Sequence, residues 1–164
     1  MRTQPPLDPR RGNIHIDANA LDPENNDRTN VDRFLSLKEQ GAISVVAPRG
    51  VRQEVLNPKT PAPVSQDVCS HIFTIQTADN SQEKARRKKI REILQGDAKL
   101  GKHDADADHV FEAQKYGGRY FITHDKRINK VKRDELEELL YPFSIVTLDE
   151  FLSVFDHYAS AEQR

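Results

Sequence analysis

The sequence of 164 residues has a single cysteine, Cys69, and no tryptophan. One thiol cannot form an intramolecular disulfide, which excludes a disulfide-stabilised secreted domain and makes a reducing cytoplasm the expected compartment. No stretch approaches the roughly 20 consecutive apolar residues that a membrane-spanning helix needs. We therefore expect a soluble, cytoplasmic protein that has no membrane partner.

Net charge is also small, since 25 basic and 26 acidic side chains leave a formal charge of −1. This balance neither predicts nor excludes a polyanionic partner, so the distribution of the charges has to decide. The length fits one compact domain. Residues 1–12 are polar and rich in proline and arginine, and we interpret them as a flexible N-terminal arm before a domain over 13–160.

Short apolar strands alternate with amphipathic helices along this domain. Strands are predicted at 14–17, 43–47, 68–75, 120–123 and 143–146. Helices are predicted at 29–41, 51–56, 79–95, 104–116, 126–140 and from 147 onward. The strands are too widely spaced for hairpins, so right-handed crossovers are expected. The pattern predicts a three-layer α/β/α fold with a mainly parallel central sheet.

Two acidic residues come at the ends of predicted strands. Asp17 follows Ile14–Ile16, and Asp125 comes shortly after the strand at 120–123. The carboxyl ends of parallel strands share one edge of a sheet, and ligands bind in the crevice there. We therefore expect Asp17 and Asp125 to be neighbours in the fold.

Two further acids are expected over the same edge. Glu54 lies on the short helix that follows the strand at 43–47. Asp106 lies in the first turn of the helix at 104–116, which leads into the strand before Asp125. Because this helix runs antiparallel to that strand, its N-terminus is predicted to lie above the edge where the strand ends.

Converging carboxylates indicate a bound cation, because like charges a few Å apart push each other toward protonation. Oxygen ligands of this kind suit Mg²⁺ or Mn²⁺, which also bind phosphate oxygens. Such ions can activate a water and stabilise the leaving oxygen in phosphodiester hydrolysis. The sequence thus predicts a metal-dependent nuclease whose catalytic and metal-binding acids are Asp17, Glu54, Asp106 and Asp125.

Several segments resemble the motifs of PIN-domain nucleases, the family of VapC-like toxin ribonucleases and their relatives. The segments at 16–19, 51–56 and 106–113 resemble its three acid-bearing motifs, and Thr123-His124-Asp125 resembles its Thr-x-Asp ending. The resemblance covers about residues 13–155. It implies a Mg²⁺- or Mn²⁺-dependent endoribonuclease with RNA as its partner, often the toxin of a toxin–antitoxin pair with a cognate antitoxin. Asn19 and Thr123 would then be polar helpers of the acidic cluster.

The acidic start of the helix at 104–116 is also what helix stability alone favours. The helix dipole attracts acids to a first turn, and either Asp104 or Asp108 could assist Asp106 as an additional acid. A calcium loop is excluded, because His109 occupies the position of the turn glycine and Lys115 that of the bidentate glutamate.

Two basic runs are candidates for substrate binding, although a solvated helix face explains them as well. Residues 84–91 contain six basic side chains, and residues 126–133 contain five. A phosphodiester backbone requires basic charge outside an acidic centre. The predicted substrate contacts are Lys126, Arg127, Arg86, Arg87 and Lys88. The run at 84–91 could equally contact an acidic partner protein.

Two other functions stay open. One is a degenerate PIN-like domain that binds RNA or a protein without cutting. The other is an aspartate-based phosphatase that uses Asp17 as its nucleophile. Such a phosphatase generally has a second acid two residues later, where this chain has Asn19. The RNA target, the number of metal ions and the formation of a homodimer are also left open.

Overall fold

The computed structural model describes residues 6–47, 72–73 and 77–162. The strands in these ranges are β1 (Asn13–Ile16), β2 (Ser44–Ala47), β3 (Ile72–Phe73), β4 (Gly118–Ile122) and β5 (Ser144–Val146). The α-helices are α1 (Arg28–Glu39), α2 (Ser81–Gln95), α3 (Asp104–Lys115), α4 (Arg133–Leu140) and α5 (Leu148–Glu162). Within this part of the chain, no helix has the length and apolar character needed to cross a membrane.

The five described strands form one sheet in the order β3-β2-β1-β4-β5. Every neighbouring pair is parallel, which confirms the predicted sheet. In the central pair, Ile16 of β1 lies opposite Ile122 of β4. The residues that follow them, Asp17 and Thr123, therefore leave the sheet side by side at its carboxyl edge.

Helices cover both faces of the sheet, which confirms the predicted three layers. Ile14 and Tyr120 pack in one apolar cluster with side chains of α1 and α5. Phe151 of α5 has edge-to-face contacts with Phe34 and Tyr120, at centroid distances of 5.7 and 5.6 Å. Phe121, one residue along from Tyr120, packs in a second cluster with α2, α3 and α4. The period-two alternation of strand side chains explains this division.

The predicted helix at 126–140 is not continuous. A π-helical turn, Arg127–Val131, comes first, and α4 begins only at Arg133. The Lys132 amide donates to the Arg127 carbonyl, five residues back, at 2.9 Å. Apolar periodicity cannot distinguish this wide turn from an α-helical one, because Ile128 is buried in either geometry.

The segment 6–12 belongs to the predicted flexible arm, and it packs against the domain. Residues Pro9–Arg11 form a 3-10 turn. The Tyr158 hydroxyl of α5 donates to the Pro6 carbonyl at 2.6 Å, and Arg10 forms an ion pair with Glu162 at 2.7 Å. Residues 1–5 lie outside the described ranges.

His15 is fully buried in the central strand, on the side of the sheet that α3 covers. A Cβ atom added to Gly118 would lie 2.7 Å from the ring of His15 and would also collide with the Ala113 carbonyl of α3. The helix thus packs on the sheet at a point where no side chain fits. Burial lowers the pKa of His15 to about 4, and a backbone contact with Tyr116 opposes this only in part.

We predict that His15 makes the fold sensitive to mild acid. As the pH falls below the ordinary histidine value of 6.5, protons bind the unfolded chain preferentially, until the folded-state pKa of about 4 is reached. Across this window the free energy of unfolding should decrease by about 3 kcal/mol more in the wild type than in His15→Leu. Urea titrations of both proteins between these pH values would measure it, and parallel pH profiles would contradict it.

Candidate active site

A buried hydrogen bond joins the ends of the two central strands. The Thr123 hydroxyl donates to Asp17 Oδ2 at 2.8 Å, and both side chains are buried. The strand ladder continues to this point, since the Asp17 amide donates to the Ile122 carbonyl at 2.9 Å. Asp17 Oδ1 accepts the Ala18 amide at 2.9 Å. The carboxylate of Asp17 is therefore fixed in orientation by both of its oxygens.

Asn19 lies against the same strand ends. Its side-chain oxygen accepts the His124 amide at 3.0 Å and lies 3.3 Å from the Thr123 hydroxyl. The structure thus brings Asn19 and Thr123 beside Asp17, the positions that the motif resemblance implies for them.

Asp125 also lies at this edge, and its carboxylate has a structural role. Its amide donates to the Thr123 hydroxyl oxygen at 3.1 Å. Its Oδ1 accepts the amides of Arg127 and Ile128 at 2.8 and 3.3 Å, and so caps the turn that follows. Among the residues that the structure describes, none donates to Oδ2.

Asp106 lies near enough to Asp17 and Asp125 for their charges to act on it. It lies in the first turn of α3. Its pKa is raised, first by burial and then by the charges of Asp125 and Asp17, while His109 and His103 act in the opposite direction. The three acids were predicted from separate parts of the sequence, and Asp106 lies within electrostatic range of the other two.

His109 is a residue of this site that sequence reasoning missed. It is buried on α3, and its Nδ1 lies 3.5 Å from Asp17 Oδ1. It comes three residues after Asp106, a spacing that places two side chains on the same face of a helix. That spacing was the available signal, and it could have placed His109 beside the acids.

Asp108, another aspartate of α3, has different surroundings from Asp106. Arg91 of α2 donates to both carboxylate oxygens of Asp108, each at 2.9 Å, and Arg87 lies 3.5 Å away. Asp108 therefore faces α2, whose arginines balance its negative charge. Asp104, like Asp106, lies in the first turn of α3 and is partly exposed.

The donor set has the chemistry of a Mg²⁺ or Mn²⁺ site. It consists of the carboxylate oxygens of Asp17, Asp106 and Asp125, and a divalent cation would offset the repulsion that Asp17 and Asp125 exert on Asp106. Within ranges 6–47, 72–73 and 77–162, however, no three acidic, histidine or cysteine side chains form a ready-made metal-binding group. Glu54, the fourth predicted ligand, lies outside those ranges.

Arg127, one of the predicted substrate contacts, binds within the protein. Its guanidinium donates to the carbonyl of Leu94, through Nε, and to that of Gln95 at 2.6 Å. These carbonyls end α2, where the helix dipole favours a cation. Arg127 therefore stabilises the end of α2 and holds it next to the turn that follows Asp125.

The basic run on α2 divides into internal and exposed side chains. Arg86 donates to Gln114 of α3 at 2.9 Å. Arg87 lies 3.2 Å from Asp79 and stacks 4.5 Å above the Phe111 ring. Lys88 is exposed, as is Lys126 after Asp125. Much of this run serves to join α2 to α3.

Comparison of the chain with protein-family models, with curated proteins and with solved structures gives no match in any of the three. The resemblance to PIN-domain nucleases accordingly stays a prediction.

We predict that Asp106→Asn and Asp108→Asn change stability in opposite directions. An acid whose pKa is raised by folding destabilises the fold when it is ionised, so Asp106→Asn should increase the free energy of unfolding at pH 7 without metal. The gain should shrink as the pH falls toward the ordinary aspartate value of 3.8 and vanish below it, where the unfolded chain is also protonated. Asp108→Asn loses the Arg91 pair and should cost up to about 1 kcal/mol.

Urea titrations at pH 7 and pH 4, in EDTA, would measure both effects. The matched substitutions lie two residues apart on one helix, so a general effect of removing a carboxylate from α3 would have the same sign in both. A loss of stability in Asp106→Asn would contradict the prediction, because it would show that the folded protein stabilises the negative charge of Asp106.

Proposed function

We propose that the protein is a Mg²⁺- or Mn²⁺-dependent endoribonuclease. The observation that carries this proposal is the position of Asp17 and Asp125 at the carboxyl edge of the parallel sheet, with Asp106 near enough for their charges to raise its pKa. Carboxylates that raise the pKa of a neighbouring acid, at the place where open α/β sheets bind ligands, favour a cation site. The order of the acid motifs along the chain supports a nuclease over other metal-dependent hydrolases.

Each side chain of the cluster has a distinct part in this proposal. Asp17, held by Thr123, presents a fixed carboxylate, while Asp106 and Asp125 Oδ2 supply further oxygen ligands. Glu54 is proposed as a fourth ligand or as the base that orients the attacking water. A bound Mg²⁺ or Mn²⁺ would activate that water and stabilise the leaving oxygen of the phosphodiester.

We predict that Asp17→Asn abolishes metal-dependent RNA cleavage while the protein stays folded. The loss should exceed about 100-fold, since even indirect partners of a metal site contribute 10- to 100-fold. Purified wild type and variant would be incubated with total RNA in Mg²⁺, Mn²⁺ or EDTA, and the cleaved ends mapped. Asp156→Asn is the matched control, because Asp156 pairs with Arg33 on the surface between α5 and α1.

Other outcomes would support the competing functions. Wild-type protein that binds RNA but cuts none at any metal concentration would contradict the nuclease and favour a binding module. A phosphorylated intermediate trapped on Asp17 would favour the phosphatase. Cleavage of single-stranded DNA but not RNA would keep the nuclease and change its substrate.

We further propose that exposed lysines, and not the arginines of α2, bind the RNA backbone. Lys126 follows Asp125 directly, and Lys102 precedes His103, whose Nδ1 lies 3.7 Å from Asp106 Oδ2. Both lysines are exposed, and in the described part of the chain neither forms an ion pair. Exposed lysines of this kind can bind phosphates without first breaking an ion pair within the protein.

Single-stranded RNA binding to Asp17→Asn, measured by fluorescence anisotropy in EDTA over a series of salt concentrations, would test this. Adding Lys102→Ala or Lys126→Ala should reduce the slope of log affinity against log salt by about 0.7 for each lysine. Arg119→Ala is the control, because Arg119 is an exposed cation near the start of β4, at the opposite edge of the sheet. Equal slopes in all variants would exclude these two lysines.

A further inference from the structure

Asn129 is a buried polar residue inside the π-helical turn Arg127–Val131, and it has no part in the function proposed above. Its side chain is 3% exposed. Its Nδ2 donates to the Thr123 carbonyl at 2.8 Å, and its own amide donates to the Asp125 carbonyl at 2.9 Å. Asn129 therefore contacts the two residues that end β4 and begin the next turn.

The peptide group between Thr123 and His124 is held on both sides. Its carbonyl accepts the Asn129 side chain at 2.8 Å, and its N–H donates to Asn19 at 3.0 Å. A peptide group is rigid and planar, so these two bonds together define its orientation. The Thr123 hydroxyl, which binds Asp17, extends from the residue on one end of this peptide.

The side-chain oxygen of Asn129 does not contribute to the stability of this arrangement. Its Oδ1 is buried and has no hydrogen-bond partner among the described residues. Burying an acceptor without a partner is unfavourable, so the side chain contributes through its donor alone. That donor reaches Thr123 from a π-helical turn, a geometry that often occurs at functional sites.

We propose that Asn129 is a positioning residue for the acidic site. It acts through the Thr123–His124 peptide, which in turn fixes the hydroxyl bound to Asp17 and the amide bound to Asn19. Asn129 touches neither substrate nor metal in this proposal. The inference rests on the proposed function in one respect, namely that the ligand of Asp17 is a divalent cation.

Two variants that remove the donor test the proposal. Asn129→Ala deletes the amide, and Asn129→Asp keeps its size but, in its ionised form, has no proton to donate. Both should weaken Mn²⁺ binding by about 10- to 100-fold, as measured by electron paramagnetic resonance of free Mn²⁺. An added negative charge alone would strengthen Mn²⁺ binding, so a weaker affinity in Asn129→Asp points to the lost donor.

Tyr158→Phe is the matched control. It also removes a side-chain donor from a backbone carbonyl, that of Pro6, but at the opposite edge of the sheet. It should bind Mn²⁺ as the wild type does. For cleavage, Asn129→Ala should lower kcat and leave KM unchanged, because the residue does not contact RNA.

Hydrogen exchange without metal gives an independent readout. In both Asn129 variants the amides of His124 and Asp125 should exchange faster than in the wild type, whereas amides in the core of β1 should not. Unchanged exchange at these two amides would overturn the positioning role. So would a result in which the wild type binds Mn²⁺ and the Asn129 variants bind it with the same affinity. A wild type that binds no Mn²⁺ and cuts no RNA would instead overturn the proposed function, and the exchange data would still decide the role of Asn129.

Discussion

The bond from the Thr123 hydroxyl to Asp17 connects two strand ends that are 106 positions apart in the chain. It exists because β1 and β4 pair in parallel, with Ile16 opposite Ile122. A shift of this register by one residue would turn every side chain of the strand to the other face of the sheet. The acidic site and both apolar clusters therefore depend on the same pairing.

Helix α3 has opposite electrostatic surroundings on adjacent faces. Asp106 lies among acids that raise its pKa, whereas Asp108 binds the guanidinium of Arg91. Two aspartates of similar sequence context thus have different surroundings in the fold. The arginines of α2 hold α3 on the side of Asp108. On the side of Asp106, folding raises the pKa of the carboxyl, because burial and the neighbouring acids disfavour its negative charge.

The sequence predicted those parts of the site that follow from chain direction. Asp17 and Asp125 end parallel strands, and Asp106 begins the helix that returns to one of them, so general rules of α/β folds bring them to one edge. The roles of Arg127 and Asn129 could not be predicted in the same way. They depend on a π-helical turn, and the apolar spacing at 126–140 fits a regular helix equally well.

Composition was a poor guide to how the charges are used. A run of basic residues looks the same in sequence whether its side chains face solvent or neutralise neighbouring elements. Arg86 and Arg127 belong to the second kind, because each has an acceptor on another segment. Only the three-dimensional positions of those acceptors distinguish them from exposed residues such as Lys88.

Gly118 sets the distance between α3 and the sheet, since a side chain there would collide with both Ala113 and His15. Asp106 is carried by that helix, whereas Asp17 and Asp125 are carried by the sheet. The separation between the acids is therefore determined by a contact at the opposite end of the helix. In a lineage of such proteins, the spacing of the acids could be adjusted by changes in packing volume there, without altering any residue of the site.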